Sequence, residues 1–342
     1  MMKYDYFLAI LLLLSILIFS TICSCGQPDV TLPLPIPAEN HTAYTVPPAT
    51  STPPASGYSG SLLAGGLQRT YLVHLPAGYD NSRLWPLVIV LHGGGGEGKN
   101  MDALTGFNAE SDQEGFIAVY PDAVGRNWND GRGDPNIKSQ ATDIDDVSFI
   151  SALIDRLEKD LSINNKMIYV TGISNGAMMS HRLGSELSTK IAAIAPVAGN
   201  IPEKMKPIWS PSYPLSILII NGTNDPLVPW DGGDVTFFAL KRGRVVSVAN
   251  TVKFWVAKNG CAAVPVTYQL PDTEGRDGTT TTVESYKGCN GKAEVVLYTV
   301  KGGGHTWPGG LQYMNELSIG KTSRDFNATA TIWQFFKQHP MK

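Results

Sequence analysis

This 342-residue sequence lacks a large excess of positive or negative charge. Its 27 lysine and arginine residues stand against 30 aspartate and glutamate residues, giving a formal net charge of −3 without a run of like charges. Nucleic-acid-binding domains carry a basic patch or stripe, so we expect no nucleic-acid partner. There is no internal repeat, and the length suffices for one large α/β domain with additional segments.

Long hydrophobic runs are confined to the N-terminus. The run FLAILLLLSILIFSTI follows Tyr6 and ends at Ile22. It is shorter than the ~20 residues that a membrane-spanning helix needs, so we interpret residues 1–25 as a signal peptide. The sequence ICSCG at positions 22–26 resembles a bacterial lipobox and makes Cys25 a candidate for lipidation. A lipid anchor, plain cleavage and an uncleaved anchor are three alternatives, and each predicts a body outside the cytoplasm, secreted or anchored to a membrane.

The next segment has little that could form a core. Residues 26–57 are rich in proline, threonine, serine and alanine, a composition that favours extended conformations and buries little apolar surface. We interpret them as a linker that holds the following body away from a membrane or wall, or as a tail without a role. The folded body is then predicted to span residues 58–342.

Cysteine is scarce, with four residues in the chain, two of them in the N-terminal segment. The remaining pair is Cys261 and Cys289. In an oxidising compartment such a pair suggests a disulfide, which would add roughly 3–4 kcal/mol of stability in the chain-entropy model. The alternative is two separate buried thiols.

Within the body, short apolar runs alternate with amphipathic segments. This alternation predicts an α/β fold, a mostly parallel sheet with helices on both faces. Residues 261–289 break the rhythm and are expected to form a small excursion pinned by the disulfide. The strands are predicted at residues 69–76, 86–91, 115–121, 166–171, 191–197, 215–220 and 293–300, and the helices at 143–161, directly after 174, at 246–259 and at 322–338.

A predicted strand runs directly into the sequence Gly172-Ile173-Ser174-Asn175-Gly176, and a predicted helix follows it. This fits G-x-S-x-G, the sharp strand-to-helix turn that lifts a serine oxygen above the edge of a sheet. The pattern alone arises by chance, and a plain tight turn is the alternative. Its position between a strand and a helix favours Ser174 as a nucleophile.

A serine hydroxyl needs a base to take its proton. Three histidines follow Ser174: His181 lies on the predicted helix of the nucleophile, and His339 lies beyond the last predicted helix. His305 comes directly after a predicted strand, in the glycine-rich segment KGGGHTWPGG, which would let its imidazole reach over the sheet edge. We therefore predict that His305 is the general base.

The acid of such a triad should lie between the serine and the histidine in the chain. Asp225 follows the predicted strand 215–220 in the segment NGTNDPLVP. It could accept a hydrogen bond from His305 and fix the tautomer of the imidazole. An Asx turn before Pro226 is the structural alternative for this residue, and Asp231 and Asp234 are the other candidate acids.

An oxyanion hole requires backbone N–H groups that point at the developing negative charge. One donor should be Asn175, the residue after the nucleophile. The other should come from the loop HGGGG that follows the predicted strand 86–91, where the sequence leaves Gly93 and Gly94 open. His92, at the start of this loop, is expected to be structural.

Together these motifs resemble the polyhydroxybutyrate depolymerase-like esterases, the branch that contains feruloyl and acetylxylan esterases of carbohydrate esterase family one. The resemblance runs from about residue 69 to the end of the chain and is carried by LHGGGG, GISNGAMM, NGTNDPLVPW, GGGHTWPGG and the pair WVAKNGC and YKGCNG. It implies an α/β-hydrolase fold for residues 58–342, ester hydrolysis through an acyl-enzyme, and neither metal nor organic cofactor. It also implies the disulfide between Cys261 and Cys289.

The expected substrate is an ester on a polysaccharide or polyester, with feruloyl or acetyl esters of plant cell walls as the first choice. Trp307, Trp230 and Trp128 lie on predicted loops around the triad and are candidates for substrate binding, with Trp307 as the first choice. Trp230 and Trp128 could instead pack the bases of their loops. A short-chain polyester hydrolase is the second choice. A serine peptidase and a non-catalytic, glycan-binding surface lipoprotein are further alternatives. The oligomeric state stays open.

Overall fold

The computed structural model describes residues 56–342. The predicted signal peptide, the lipidation candidate Cys25 and almost all of the predicted linker lie outside the described residues. Among residues 56–342, no helix is both long enough and apolar enough to cross a membrane.

Twelve strands and eight α-helices make up the described chain. The strands are β1 (Tyr58–Ala64), β2 (Leu67–His74), β3 (Trp85–Leu91), β4 (Ile117–Pro121), β5 (Ile163–Ile173), β6 (Ala193–Val197), β7 (Ser216–Gly222), β8 (Gly233–Phe237), β9 (Leu240–Val245), β10 (Val266–Gln269), β11 (Thr280–Tyr286) and β12 (Val295–Lys301). The helices are α1 (Met101–Thr105), α2 (Phe107–Glu114), α3 (Lys138–Ala141), α4 (Asp146–Asp160), α5 (Asn175–Glu186), α6 (Val248–Asn259), α7 (Glu316–Ile319) and α8 (Ala328–Gln338).

Ten of the strands form one sheet in the order β1-β2-β4-β3-β5-β6-β7-β12-β11-β10. The six central strands, from β4 to β12, run parallel, and antiparallel strands complete both edges. All seven predicted strands are present in this sheet, because a strand buried on both faces needs a continuous apolar run. The α/β fold is therefore confirmed.

Helices cover both faces of the sheet, as predicted. On one face, apolar side chains of α4, α5 and α6, such as Leu153, Leu183 and Trp255, pack against the strands. On the other face, α2 and α8 do so through residues such as Phe107 and Trp333. Two hydrophobic cores thus pack against the two faces of the sheet. Because the central strands are parallel, their carboxyl ends lie at one edge.

The segment 261–289 is not the separate excursion that the sequence suggested. Its strands β10 and β11 pair antiparallel with each other, and β11 pairs with β12, so the segment widens the main sheet. In β11, buried side chains such as Thr281 and Val283 alternate with half-buried ones. Because the strand begins with a run of threonines, this alternation does not show as an apolar pattern in the sequence. The sulfur atoms of Cys261 and Cys289 are joined in the structure, with the two Cα atoms 3.8 Å apart.

Two elements near the site differ from the sequence prediction. Strands β8 and β9 form a two-stranded hairpin, residues 233–245, that the sequence did not predict. Helix α8 begins at Ala328 rather than at residue 322, because the side chain of Asn327 caps it by accepting hydrogen bonds from the N–H groups of Thr329 and Ala330.

Candidate active site

The residues predicted to act together follow the carboxyl ends of parallel strands. Ser174 follows β5, Asp225 comes three residues after β7, and His305 comes four residues after β12. The glycine loop, residues 93–96, follows β3. Because these strands are parallel, their carboxyl ends lie at the same edge of the sheet, where α/β proteins commonly bind ligands.

Ser174 occupies a strained turn between β5 and α5. Its backbone has φ 59° and ψ −119°, a conformation that non-glycine residues rarely adopt. Close packing also fixes the flanking glycines: a β-carbon at Gly172 would lie 2.7 Å from the Leu91 carbonyl oxygen, and one at Gly176 would lie 2.4 Å from it. The turn therefore has the geometry that a nucleophile elbow requires.

Asp225 and His305 form a buried pair. The Nδ1 atom of His305 lies 2.7 Å from Oδ2 of Asp225, and the two side chains are 3% and 0% exposed. The other carboxylate oxygen, Oδ1, accepts hydrogen bonds from the N–H groups of Leu227 and Val228, each 2.8 Å long. The Asx turn and the pairing with histidine therefore coexist, one on each oxygen of Asp225.

The loop between β12 and α7 is packed closely enough to need its glycines. A β-carbon at Gly304 would lie 2.1 Å from the Ile319 carbonyl oxygen, and a β-carbon at Gly222 would lie 2.3 Å from the Gly303 carbonyl oxygen. The loop of the histidine thus rests directly on the end of β7. This contact holds His305 against the acid.

The hydroxyl of Ser174 makes no hydrogen bond to another residue within the described part of the chain, and the residue is partly exposed. Its N–H group donates to the Val197 carbonyl over 3.0 Å. Serine–base hydrogen bonds are often long in structures without substrate and shorten when substrate binds. Ser174 is therefore anchored by its backbone, with its hydroxyl available.

Three backbone N–H groups at the elbow make no hydrogen bond to any residue between 56 and 342: those of Gly93, Gly94 and Asn175. A β-carbon at Gly93 would lie 3.5 Å from Cβ of Ser174, and one at Gly94 would lie 3.7 Å from Cβ of Asn175. Asn175 is the first residue of α5, whose N–H group has no intrahelical acceptor. All three predicted oxyanion donors thus lie beside the candidate nucleophile.

The side chain of His92 links the glycine loop, residues 93–96, to Ala123. Its Nε2 accepts a hydrogen bond from the Ala123 N–H group, which leaves Nδ1–H to donate to the Gly93 carbonyl over 2.8 Å. Burial lowers the pKa of His92, so the ring stays neutral. These contacts agree with a structural role.

The side chains of two of the three candidate tryptophans are buried instead of lining the site. Trp307 and Trp128 are fully buried, and their indole N–H groups donate to the Thr329 hydroxyl and to the His92 carbonyl. They pack the bases of the loops and offer no surface to a substrate. Trp230 is partly exposed and remains a candidate.

The other candidate histidines and acids are engaged elsewhere. His181 is fully buried and accepts a hydrogen bond from Nε1 of Trp255, and burial lowers the pKa of His181 to about 3. His339 contacts Glu294, with 3.3 Å between Nε2 and Oε2. Asp234 pairs with Lys241 over 2.7 Å, and Asp231 is exposed. None of them contacts His305 in place of Asp225.

The structure also reveals a buried polar network behind the elbow that the sequence did not indicate. Asp130 accepts four hydrogen bonds: two from Arg132, one from Gln140 and one of 2.6 Å from Nδ2 of Asn175. Asn175 also bonds to both backbone groups of Trp128. This network fixes the side chain of Asn175, the residue that follows Ser174. No local sequence pattern could predict the network, because its members come together only in the folded chain.

A second unpredicted residue is Tyr313, in the loop between His305 and α7. Its hydroxyl donates to the His305 carbonyl over 3.0 Å. Burial and the negative charge of Asp225 raise the pKa of Tyr313 above its ordinary value. The phenol therefore contacts the backbone of His305 directly. Among residues 56–342, no group of three or more histidine, cysteine or acidic side chains is arranged to hold a metal ion.

Comparisons with known proteins agree with this arrangement. A family model described as phospholipase/carboxylesterase matches residues 80–242. The candidate esterase NocK of Nocardia uniformis subsp. tsuyamanensis is 29% identical over 343 residues, 95% of this chain and 96% of that protein. Feruloyl esterase C of Emericella nidulans is 28% identical over 243 residues, 69% of this chain and 76% of that protein.

A solved structure of a candidate dipeptidyl aminopeptidase IV from Bacteroides ovatus shares the fold. Its TM-score is 0.51 at 13% identity, over 83% of this chain and 36% of that chain. The sheet and these matches define the class by its fold: the chain has the α/β-hydrolase fold. Within that class it is a carboxylic ester hydrolase that resembles the feruloyl and acetylxylan esterases, as its sequence motifs indicated.

Proposed function

We propose that this protein hydrolyses esters through a Ser174–His305–Asp225 triad and an acyl-enzyme, and that its substrates are feruloyl or acetyl esters of plant cell-wall polysaccharides. The observation that carries the proposal is the buried pair of Asp225 and His305, 2.7 Å apart, at the sheet edge where the strained Ser174 also lies. The match to a feruloyl esterase supports the choice of substrate.

In the proposed first step, Oγ of Ser174 attacks the ester carbonyl while Nε2 of His305 accepts the hydroxyl proton. Asp225 keeps the Nδ1 proton in place and stabilises the imidazolium that forms. The carbonyl oxygen becomes an oxyanion, which accepts hydrogen bonds from Asn175 and from Gly93 or Gly94. The tetrahedral intermediate collapses, and the alcohol leaves with the proton from His305.

In the second step, water attacks the acyl-enzyme. His305 accepts one proton of the water and returns it to Ser174 as the carboxylic acid leaves, so the enzyme is regenerated without a net change of charge. Each step uses the same oxyanion donors. Loss of one oxyanion-hole donor costs ~10²–10³ in kcat in a serine protease of another fold.

The deciding experiment is an assay of the protein on methyl ferulate, acetylated xylan, hydroxybutyrate oligomers and simple aryl esters, with Ser174→Ala measured alongside. We expect turnover of the first two substrates and none by the variant. Retained turnover in Ser174→Ala would refute the nucleophile, and activity restricted to hydroxybutyrate oligomers would refute the substrate.

A short-chain polyester hydrolase is the second candidate, and one observation favours it. The hairpin 233–245 is held on the loop of Asp225, because the Thr236 N–H group donates to the Leu227 carbonyl over 2.9 Å. Its tip exposes Phe237, Phe238 and Leu240, which are 42%, 68% and 56% accessible. Exposed apolar side chains of this kind suit an apolar polymer surface.

We further propose that the protein is exported and that Cys25 carries a lipid anchor. Support comes from the N-terminal sequence, namely the apolar run and the lipobox-like ICSCG at positions 22–26. Mass spectrometry of the mature N-terminus tests this proposal. A lipid-modified Cys25 at the first position is the expected result, and an unmodified cysteine or an intact N-terminus would contradict it.

A further inference from the structure

Two buried asparagines lie between the turn of Ser174 and the loop of Asp225. Asn200 comes three residues after β6, and Asn221 lies near the carboxyl end of β7. Their side chains meet: Nδ2 of Asn221 donates to Oδ1 of Asn200 over 3.1 Å, and the two residues are 2% and 0% exposed. This asparagine pair therefore joins the carboxyl ends of two neighbouring strands beneath the candidate active site.

The segment that carries Asn200 also holds the elbow of the candidate nucleophile. The N–H group of Ser174 donates to the Val197 carbonyl, the last residue of β6. A β-carbon at Gly199 would lie 2.7 Å from the Ser174 carbonyl oxygen. Residues 197–200 thus pack directly on the elbow, and a shift of this segment would move Ser174.

On its other side, the asparagine pair contacts the loop of the acid. Asn221 precedes Asp225 by four residues in the chain. Nδ2 of Asn200 lies 3.5 Å from the Pro229 carbonyl, four residues after Asp225, and this carbonyl also accepts a hydrogen bond from the Gly232 N–H group over 3.0 Å. The pair is therefore linked to the acid loop both before and after Asp225.

Two unfavourable features occur in this small region. Oδ1 of Asn221 is buried and has no hydrogen-bond donor among residues 56–342, which is unfavourable for a polar atom. Ala198 has φ 52°, a left-handed conformation that non-glycine residues rarely adopt. Two apolar side chains of similar shape can replace a buried hydrogen-bonded pair with little loss of stability. Stability alone thus gives no reason for asparagine at these two positions, and local strain of this kind clusters at functional sites.

Asn259 shows what a structural asparagine looks like in the same chain. It is 0% exposed, its Oδ1 accepts a hydrogen bond from the Leu215 N–H group over 3.0 Å, and its Nδ2 donates to the Leu215 carbonyl over 2.6 Å. Leu215 directly precedes β7, at the end of the strand opposite to Asp225. Both polar atoms of this amide are satisfied, in contrast to those of Asn221.

We propose that Asn200 and Asn221 are positioning residues that set the distance between Ser174 and the pair of Asp225 and His305. They act through the backbone segments on either side and do not touch the substrate. The proposal rests on the proposed function, because it requires the triad. A displacement of ~1 Å between reacting groups can lower a rate by ~10², so a link of this kind has a large effect on turnover.

The test replaces both partners at once in the double variant Asn200→Leu/Asn221→Leu. Leucine has the branched shape of asparagine, no polar atom of the pair is left unpaired, and the Pro229 carbonyl keeps its hydrogen bond from Gly232. On p-nitrophenyl acetate we expect kcat per active site to fall by about 10² and KM to change by less than about twofold. The urea midpoint should be unchanged or higher. Labelling with a fluorophosphonate counts the active sites.

A single variant and a matched control complete the test. Asn221→Leu removes one unpaired acceptor and leaves another, Oδ1 of Asn200, so it should keep the urea midpoint and lower kcat by about tenfold. Asn259→Leu should do the opposite: it leaves the N–H and carbonyl groups of Leu215 unpaired, so the urea midpoint should fall while kcat per active site stays unchanged.

An unchanged kcat per active site in the double variant would overturn the positioning role, and so would a rise in KM at unchanged kcat. Failure of Asn221→Leu to fold would overturn it as well, because the asparagine pair would then be needed for the fold itself. Failure of the wild type to react with the fluorophosphonate or to hydrolyse p-nitrophenyl acetate would instead overturn the proposed function.

Discussion

Asp225 and Asp130 are both buried carboxylates at the same edge of the sheet, yet they are held in different ways. Asp225 accepts hydrogen bonds from two backbone N–H groups and pairs with His305, whereas Asp130 accepts one from a backbone N–H group and pairs with Arg132. Both side chains are 0% exposed. The two regions differ in the basic side chain that pairs with the carboxylate. The imidazole of His305 belongs to a class of groups that take up and release a proton near neutral pH, whereas the guanidinium of Arg132 stays charged.

This difference shows that burial and charge pairing alone do not identify a catalytic carboxylate. The two carboxylate oxygens of Asp130 accept hydrogen bonds from four donors, and the guanidinium of Arg132 also donates to the Arg242 carbonyl in the hairpin over 2.8 Å. Both oxygens of Asp130 are thus engaged. His305, by contrast, binds Asp225 through Nδ1 only, and we propose that its second ring nitrogen, Nε2, acts on Ser174. We therefore propose that the Asp130 region positions the elbow and that the Asp225 region transfers protons, and the predictions below test that division.

The largest effect is expected for Asp225→Asn. The amide group would face Nδ1 of His305 and favour the tautomer that carries its proton on Nε2, which cannot accept the proton of Ser174. We expect kcat to fall by about 10⁴, by analogy with the corresponding change in a related triad. Steady-state kinetics on methyl ferulate measures this, with Asp231→Asn as the matched control. A loss under tenfold would assign the acid to another residue.

Asp130→Ala should affect stability more than chemistry. It leaves the buried Arg132 guanidinium without its carboxylate and Nδ2 of Asn175 without one acceptor. Breaking a buried ion pair from one side costs about 3–5 kcal/mol, and we expect the free energy of unfolding in urea to fall by that amount. The exposed Asp231→Ala serves as the comparison. A stable Asp130→Ala protein with a 10⁴-fold loss of kcat would erase the distinction between the two regions.

His181 provides a third, purely structural case. Its pKa is about 3 in the folded chain and about 6.5 when unfolded, so below pH 6.5 the unfolded state takes up a proton that the folded state does not. Stability is therefore lost as the pH falls, by about 2 kcal/mol between pH 7 and pH 5 from this residue. Urea unfolding of His181→Gln should show a correspondingly weaker pH dependence than the wild type. An identical dependence would contradict the neutral, buried assignment.

The smallest effect is expected for Tyr313→Phe, which removes the hydroxyl that donates to the His305 carbonyl. A neutral hydrogen bond contributes about 1 kcal/mol, so kcat on methyl ferulate should fall by about fivefold without a change in the free energy of unfolding beyond about 1 kcal/mol. Tyr213→Phe, at an exposed site, is the control. An unchanged kcat would remove Tyr313 from the reactive region.

The sequence predicted the contact between Asp225 and His305, and it did not predict the network around Asp130. The central strands, the strained turn at Ser174 and the order of serine, acid and base follow from local patterns, and the structure places Asp225 and His305 side by side. Asp130 and Arg132 could not be found in this way, because their partners come from distant segments. The burial of Trp307 could not be predicted from the sequence either, since the position of a residue on a loop does not determine the direction of its side chain.

The hairpin 233–245 and strand β11 show the same limit. Their residues are polar or glycine-rich, with partial burial supplied by neighbouring loops and strands rather than by an apolar run of their own. In β11 the buried positions alternate with half-buried ones and are occupied largely by threonine and serine, so the sequence shows no apolar run there.

The central claim is that Ser174 carries the acyl group, and trapping the acyl-enzyme tests it most directly. The protein is mixed rapidly with p-nitrophenyl acetate, quenched in acid and analysed by intact-mass and peptide-mapping mass spectrometry. The mechanism predicts one added acetyl group on the peptide that contains Ser174 and none in Ser174→Ala. Turnover with the acetyl group on a different residue, or equal acetylation of Ser174→Ala, would contradict it.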